Sequence, residues 1–212
     1  KYFFCVASVD ALGNESACSE TFEIGYDKTA PVVTITKPTG PIDTNKEFTI
    51  EGTYKDNLSG VGRLHLYASA NGKEVVFYVS ALNSTPDDEH NYSYNLTSAD
   101  LAKLKNDLSL QDGQTLTIKA WAYDKANNWS NTTSTITSDT TAPTAKIESP
   151  ATGTFVKTAN EMEIKLHATD TVGMRWYDVT VWKKDDPRVQ GSSPLASWSH
   201  EVPDNKRKNW TT

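Results

Sequence analysis

Carboxylate and carboxamide side chains recur in this 212-residue chain where the polypeptide is built to turn: Asp27, then Asp56 and Asn57, then Asp124, Asn127 and Asn128. Carboxylates mixed with amide carbonyls are hard oxygen donors, the set from which Ca²⁺ takes its six to eight ligands. Asp27, Asp56, Asp124 and Asn127 are therefore the candidate metal ligands, with Ca²⁺ the ion their chemistry suits. Asp and Asn are also among the commonest turn and linker residues, so the sequence leaves a plain turn-forming role open beside the ligand role. No motif requires any other cofactor.

Two further groups bear on chemistry. Cys5 and Cys18, the only cysteines, flank the turn signal Asp10-Ala11-Leu12-Gly13-Asn14, so two antiparallel strands would set them opposite each other. A disulfide there implies an oxidising compartment; two free thiols are the alternative. Trp176, Trp182, Trp198 and Trp210 crowd the last part of the chain. Strand alternation along 174–182 puts Tyr177, Val179 and Val181 on one face and Trp176 and Trp182 on the other. Trp176 and Trp182 are thus a candidate binding surface for protein or glycan, unless the loop at 183–212 or a neighbouring sheet covers them.

Catalysis has no such footing. His65, His90, His167 and His200 are scattered, and the chain has no Gly-x-Ser-x-Gly, His-Glu-x-x-His or glycine-rich phosphate loop. Asp87-Asp88-Glu89 beside Pro86 reads as a solvated loop tip. The reading is of a protein that is not an enzyme. A net charge of −6, with Lys206-Arg207-Lys208 the one short basic run, argues against a nucleic-acid partner. No apolar stretch approaches the roughly 20 residues that cross a bilayer, so no membrane insertion is expected in this segment.

The elements that must position these side chains follow from an internal repeat. Asp27-Lys28-Thr29-Ala30-Pro31 returns as Asp139-Thr140-Thr141-Ala142-Pro143, an offset of 143 − 31 = 112. Asp10-Ala11-Leu12-Gly13-Asn14-Glu15-Ser16 returns as Asp124-Lys125-Ala126-Asn127-Asn128-Trp129-Ser130, and Asp56 returns as Asp170, an offset of 114 in each case. Asn127 stands in the place of Gly13; Asn also tolerates left-handed backbone. Within one period, alternating runs at 32–37, 47–54, 61–69, 73–80, 91–97, 114–123 and 129–137 predict seven strands. Ser98 to Asp107, with Leu101, Leu104 and Leu108 at helical spacing behind a Ser/Thr cap signal, predicts one short helix near 98–107. The fold class is all-β, a sandwich of the immunoglobulin-like or fibronectin-III-like kind.

The Asp-x-Thr-Ala-Pro linker and the Asp-x-x-Gly-Asn-x-Ser hairpin, occurring twice in the same order, resemble the bacterial Ig-like tandem repeats of large surface and secreted proteins. The resemblance implies a preceding repeat's C-terminal hairpin at 1–26, a complete repeat at 27–138 and the N-terminal part of a following repeat at 139–212. The last stops about 38 residues short of its own period, so flanking sequence or another copy is expected to complete the outer pieces. It also implies neighbouring Ig-like repeats as partners, an extracellular or cell-surface location, and a structural or adhesive role as a semi-rigid spacer or interaction module. An accessory carbohydrate-binding module of a secreted glycan-processing enzyme is the alternative. In such a sandwich the lead-in segment, the loop after the second strand and the last hairpin gather at one pole, where Asp27, Asp56, Asn57, Asp124, Asn127 and Asn128 would meet.

Overall fold

The computed structural model describes residues 1–155, 157, 163–182, 196–202 and 209–211. They form antiparallel sheets and one short helix, in two compact units: 1–40 with 46–110 and 115–136, and 41–45 with 111–114 and 137–212.

The first unit opens with a two-stranded hairpin, β1 (Tyr2–Phe4) against β2 (Phe22–Ile24), exposed on both faces. Cys5 and Cys18 are joined between its arms with Cα atoms 5.7 Å apart, an ordinary disulfide spacing.

The seven strands predicted for the repeat all form: β3 (Val32–Val33), β4 (Thr49–Lys55), β5 (Val61–Ala70), β6 (Lys73–Ala81), β7 (His90–Asn95), β8 (Thr115–Asp124) and β9 (Trp129–Thr137). They make a three-stranded sheet ordered β3-β4-β7 and a four-stranded sheet ordered β6-β5-β8-β9. The core reads directly from the pleat, since every second side chain points inward. Ile50 and Tyr54 from β4, Leu64, Leu66 and Ala68 from β5, and Leu116, Ile118, Ala120 and Ala122 from β8 are buried in alternation with less buried neighbours. The leucine and isoleucine side chains among them stabilise the fold by roughly 1.5–3 kcal/mol each when fully withdrawn from water.

Helix α1 (Ser98–Asn106) falls where the leucine spacing places it. Thr97 caps it: its hydroxyl accepts from the Asp100 amide at 3.3 Å while the Asp100 carboxylate accepts from the Thr97 amide at 3.1 Å, a reciprocal capping box. Leu104 and Leu108 are buried beneath it.

The second unit holds a three-stranded sheet of β10 (Thr144–Ser149), β11 (Lys165–Thr169) and β14 (Asn209–Thr211), and a pair of β12 (Trp176–Val181) and β13 (Ala196–Glu201). Its described core is small: Ala168, Met174 and Val202, with Leu166 and Tyr177 packed against them.

Candidate functional site

The alternation that builds the core of the first unit also builds its site. On β4 the inward stripe runs Ile50, Gly52, Tyr54, and the next inward position, just past the strand, is Asp56. On β8 it runs Leu116, Ile118, Ala120, Ala122 and ends on Asp124. Both carboxylates are thereby carried to the edge of the core, each only 2% exposed. Asp27, from the segment leading into β3, is half-buried beside them. One carboxylate oxygen from each of the three lies within 4.8 Å of the others.

Local hydrogen bonds fix each carboxylate. The Oδ2 of Asp56 accepts the backbone amides of Leu58, Ser59 and Gly60 at 3.1, 2.9 and 2.8 Å, so the loop wraps around its own first residue. Gly60 closes that loop at φ +79°, and a Cβ there would meet the Ser84 carbonyl oxygen at 2.4 Å. The other oxygen of Asp56, Oδ1, is buried and has no hydrogen-bond partner. Asp124 is held by Asn128, whose backbone amide donates to Oδ1 at 2.8 Å and whose side-chain amide donates to Oδ2 at 2.7 Å. Asp27 accepts from the Thr29 amide at 2.9 Å and the Ser59 amide at 3.1 Å. Burial pushes the Asp27 carboxyl up, but hydrogen bonds from Ser59 and the Thr29 amide outweigh it and hold the group below its ordinary range.

No lysine, arginine or histidine forms an ion pair with the three acids among the described residues. At such separations and an effective dielectric constant near 20, each pair of ionised carboxylates repels by roughly 3 kcal/mol. A cation placed among the three would offset that repulsion. The donor set fits a hard cation: all-oxygen, rigidly held, with Asp56 Oδ1 buried and free of hydrogen bonds.

Asn127 lies apart from this arrangement. Its backbone is left-handed at φ 66°, as Gly13 is at φ 85°, and its side-chain oxygen accepts from the Arg63 guanidinium at 2.9 Å. It serves the turn and the sheet surface, while the carboxamide at the acidic group belongs to Asn128. The signal for Asn128 was present in the sequence as the fourth residue after an aspartate in both hairpins. The first copy shows the same grip, with the Asn14 amides donating to Asp10 at 2.9 and 2.7 Å.

In the second unit Asp170, the counterpart of Asp56, accepts the amides of Val172 and Gly173 at 2.9 and 2.6 Å, so the same loop device recurs. Asp139, the counterpart of Asp27, has its carboxyl pushed up by burial and by the charges of Asp170, Asp112 and Asp43. Of the tryptophans, Trp176 is exposed beneath the Arg175 guanidinium, 5.0 Å from its ring centroid, whereas Trp182 is half-buried. Trp198 is exposed opposite Val179, on the other face of the β12-β13 pair from Trp176. The Trp210 side chain and the loop at 183–195 lie outside the described residues. No helix among the described residues is long and apolar enough to cross a membrane.

No family model and no curated protein matches the sequence. Among solved structures the chain is similar to a tetra-tandem repeat in the extending region of a large adhesion protein, at 17% identity and a TM-score of 0.38, over 97% of this chain and 46% of that one. It is also similar to a β-glucosidase from Listeria innocua in complex with glucose, at 10% identity and a TM-score of 0.36, over 55% of this chain and 17% of that one. The chain spans less than half the length of either protein, and both superpositions are too loose to carry functional meaning.

Proposed function

We propose that this chain is a structural segment of tandem β-sandwich repeats, a non-catalytic extracellular spacer of a bacterial surface or secreted protein, in which a bound Ca²⁺ stiffens the complete repeat. The observation that carries the reading is the buried acidic group itself. Asp27 arrives from the lead-in segment, Asp56 from the loop after β4 and Asp124 from the end of β8, so one ion would tie three distant parts of the chain together. Asp56 Oδ1, buried with no donor, and Asp27 and Asp124 beside it would supply the charge that Ca²⁺ selects, with backbone carbonyls and water filling the remaining positions.

The repeated linker motif supports the spacer role. Pro31 and Pro143 follow each Asp-x-Thr-Ala segment, and a fixed φ there limits swivelling. The disulfide between Cys5 and Cys18 supports an oxidising, extracellular setting.

Thermal unfolding of the chain in chelator and then in Ca²⁺ tests the reading. An ion bound only by the folded state stabilises it by about 2.7 kcal/mol at a free concentration one hundred times Kd. A melting temperature that rises with Ca²⁺ supports the proposal, and an unchanged one removes it. Small-angle scattering in the same two buffers reads the stiffening separately, as a narrower distribution of end-to-end lengths with the ion present.

A further inference from the structure

The outward face of the four-stranded sheet carries a feature that neither the acidic group nor a spacer role calls for. Five rings follow one another across β9, β8 and β5. Trp129 stacks on Trp121 with centroids 4.7 Å apart, Trp121 on Tyr123 at 6.2 Å, Tyr123 meets His65 at 5.3 Å, and His65 meets Tyr67 at 6.2 Å. The Arg63 guanidinium lies 4.6 Å from the Tyr123 centroid and the Lys119 ammonium 5.8 Å from that of Trp121. Trp129 is 51% exposed, and Val79 and Val76, paired across from His65 and Tyr67 on β6, continue the patch at 60% and 45%.

The fold does not demand these rings. The same alternation that places Ala120 and Ala122 inside places Trp121 and Tyr123 outside, where any residue compatible with a strand would serve. The internal repeat shows as much. At an offset of 114, Trp121, Tyr123 and Trp129 correspond to Ala7, Val9 and Glu15; at an offset of 113, His65 and Tyr67 correspond to Asp178 and Thr180. None of these five positions carries an aromatic ring in the other copies.

We propose that this face is a binding platform for a glycan, a chain of pyranose rings bearing carboxylates that lies along Trp129, Trp121, Tyr123, His65 and Tyr67 between Arg63 and Lys119. The exposed ring of Trp129 carries negative charge density on its face, and the axial C–H bonds of a pyranose present the complementary positive edge, so a sugar ring packs there while the neighbouring rings flank it. Charge complementarity selects the acidic kind. Arg63 and Lys119 are set against one outward acid, Glu74, which binds Lys119 at 3.2 Å, giving this face a positive surplus on a chain of net charge −6. Burial and the neighbouring Arg63 hold the His65 imidazole below its ordinary range, so it remains a neutral ring at pH 7. Two cations on an acidic protein are too few for a nucleic-acid backbone, which draws its affinity from many phosphate contacts.

Affinity electrophoresis of the full 212-residue chain through gels holding polygalacturonate or the neutral polymer dextran tests this, with chelator present throughout to keep the acidic group out of the result. The expected outcome is retardation by polygalacturonate and none by dextran. Trp129→Ala and Trp121→Ala weaken it roughly tenfold or more, the scale of losing one aromatic anchor. Arg63→Gln, which leaves every ring in place, weakens it without altering the melting temperature. Absence of retardation by polygalacturonate, equal retardation by both polymers, or tryptophan variants that bind as the parent does would each overturn the proposal. Trp129 is half-exposed, so its variant keeps the test meaningful should Trp121→Ala fail to fold.

Discussion

The side-chain amide of Asn128 donates to the main-chain carbonyl of Asp27, 3.2 Å away across 101 residues of sequence. The same amide group binds the Asp124 carboxylate, so one carboxamide joins the last hairpin to the segment leading into β3. The hydroxyl of Ser130 donates to the carbonyl of Pro31 close by and extends the seam. Asn128→Ala removes two bonds to the carboxylate region at once. The expected loss is about 2 kcal/mol of stability in chelator, the usual scale for hydrogen bonds to a charged group, together with weaker Ca²⁺ binding. Thermal melts with and without the ion read both.

Asp56→Asn has effects of opposite sign in the two buffers. An asparagine oxygen in the place of Oδ2 still accepts the Leu58, Ser59 and Gly60 amides, while its NH₂ group replaces the bare Oδ1. One negative charge leaves the group. The variant should melt higher than the parent in chelator and show no rise on adding Ca²⁺. A variant less stable than the parent in both buffers would contradict the repulsion argument.

Gly52 makes a purely structural prediction. It faces Tyr92 in the β4-β7 ladder, and the Tyr92 hydroxyl passes it to donate to the Thr34 carbonyl at 2.6 Å. A Cβ on residue 52 would stand 2.0 Å from that carbonyl oxygen and 2.6 Å from the hydroxyl. Gly52→Ala therefore costs about 2–3 kcal/mol, as overpacking of a closed core does. Tyr92→Phe, which loses the hydrogen bond alone, costs about 1 kcal/mol. Denaturant unfolding of the two variants should rank them in that order.

The pH dependence of the second unit follows from Asp112. Its carboxylate accepts from the backbone amides and hydroxyls of both Thr140 and Thr141, and these bonds, the Thr140 amide first, lower its pKa from 3.8 to about 2. Because the folded value lies below the unfolded one, the stabilisation is complete above 3.8 and fades as pH falls towards about 2. Asp112→Asn should flatten that part of the acid unfolding profile. Acid titration followed by the tryptophan fluorescence of both proteins measures it.

Much of this was legible in the sequence, for identifiable reasons. Alternation is a local property, and it predicted strands at 47–54, 61–69 and 114–123, within a residue or two of those that form. The immunoglobulin-like topology, in which the lead-in segment, the loop after the second strand and the last hairpin meet at one pole, brought Asp27, Asp56 and Asp124 together before any pairing of strands was known. What failed was anything that depended on which way a loop side chain turns. Asn127 carries the left-handed turn and reaches out to Arg63, so Asn128 faces the acids. The aromatic row was hidden for a different reason. Its rings come from 65–67, 121–123 and 129, and only the β5-β8-β9 order makes neighbours of them. The tryptophans beyond residue 176 draw attention in the sequence by their density, but density along the chain is not adjacency in space.

The long separation between Asp27 and Asp124 has a kinetic consequence. Contacts between residues so far apart close late in folding, after the loops between them have been ordered. An ion that needs all three carboxylates has nothing to hold until β8 has docked, so it binds the finished sandwich and not the transition state on the way there. Ca²⁺ should then leave the refolding rate unchanged and slow unfolding, making the ion a latch on escape.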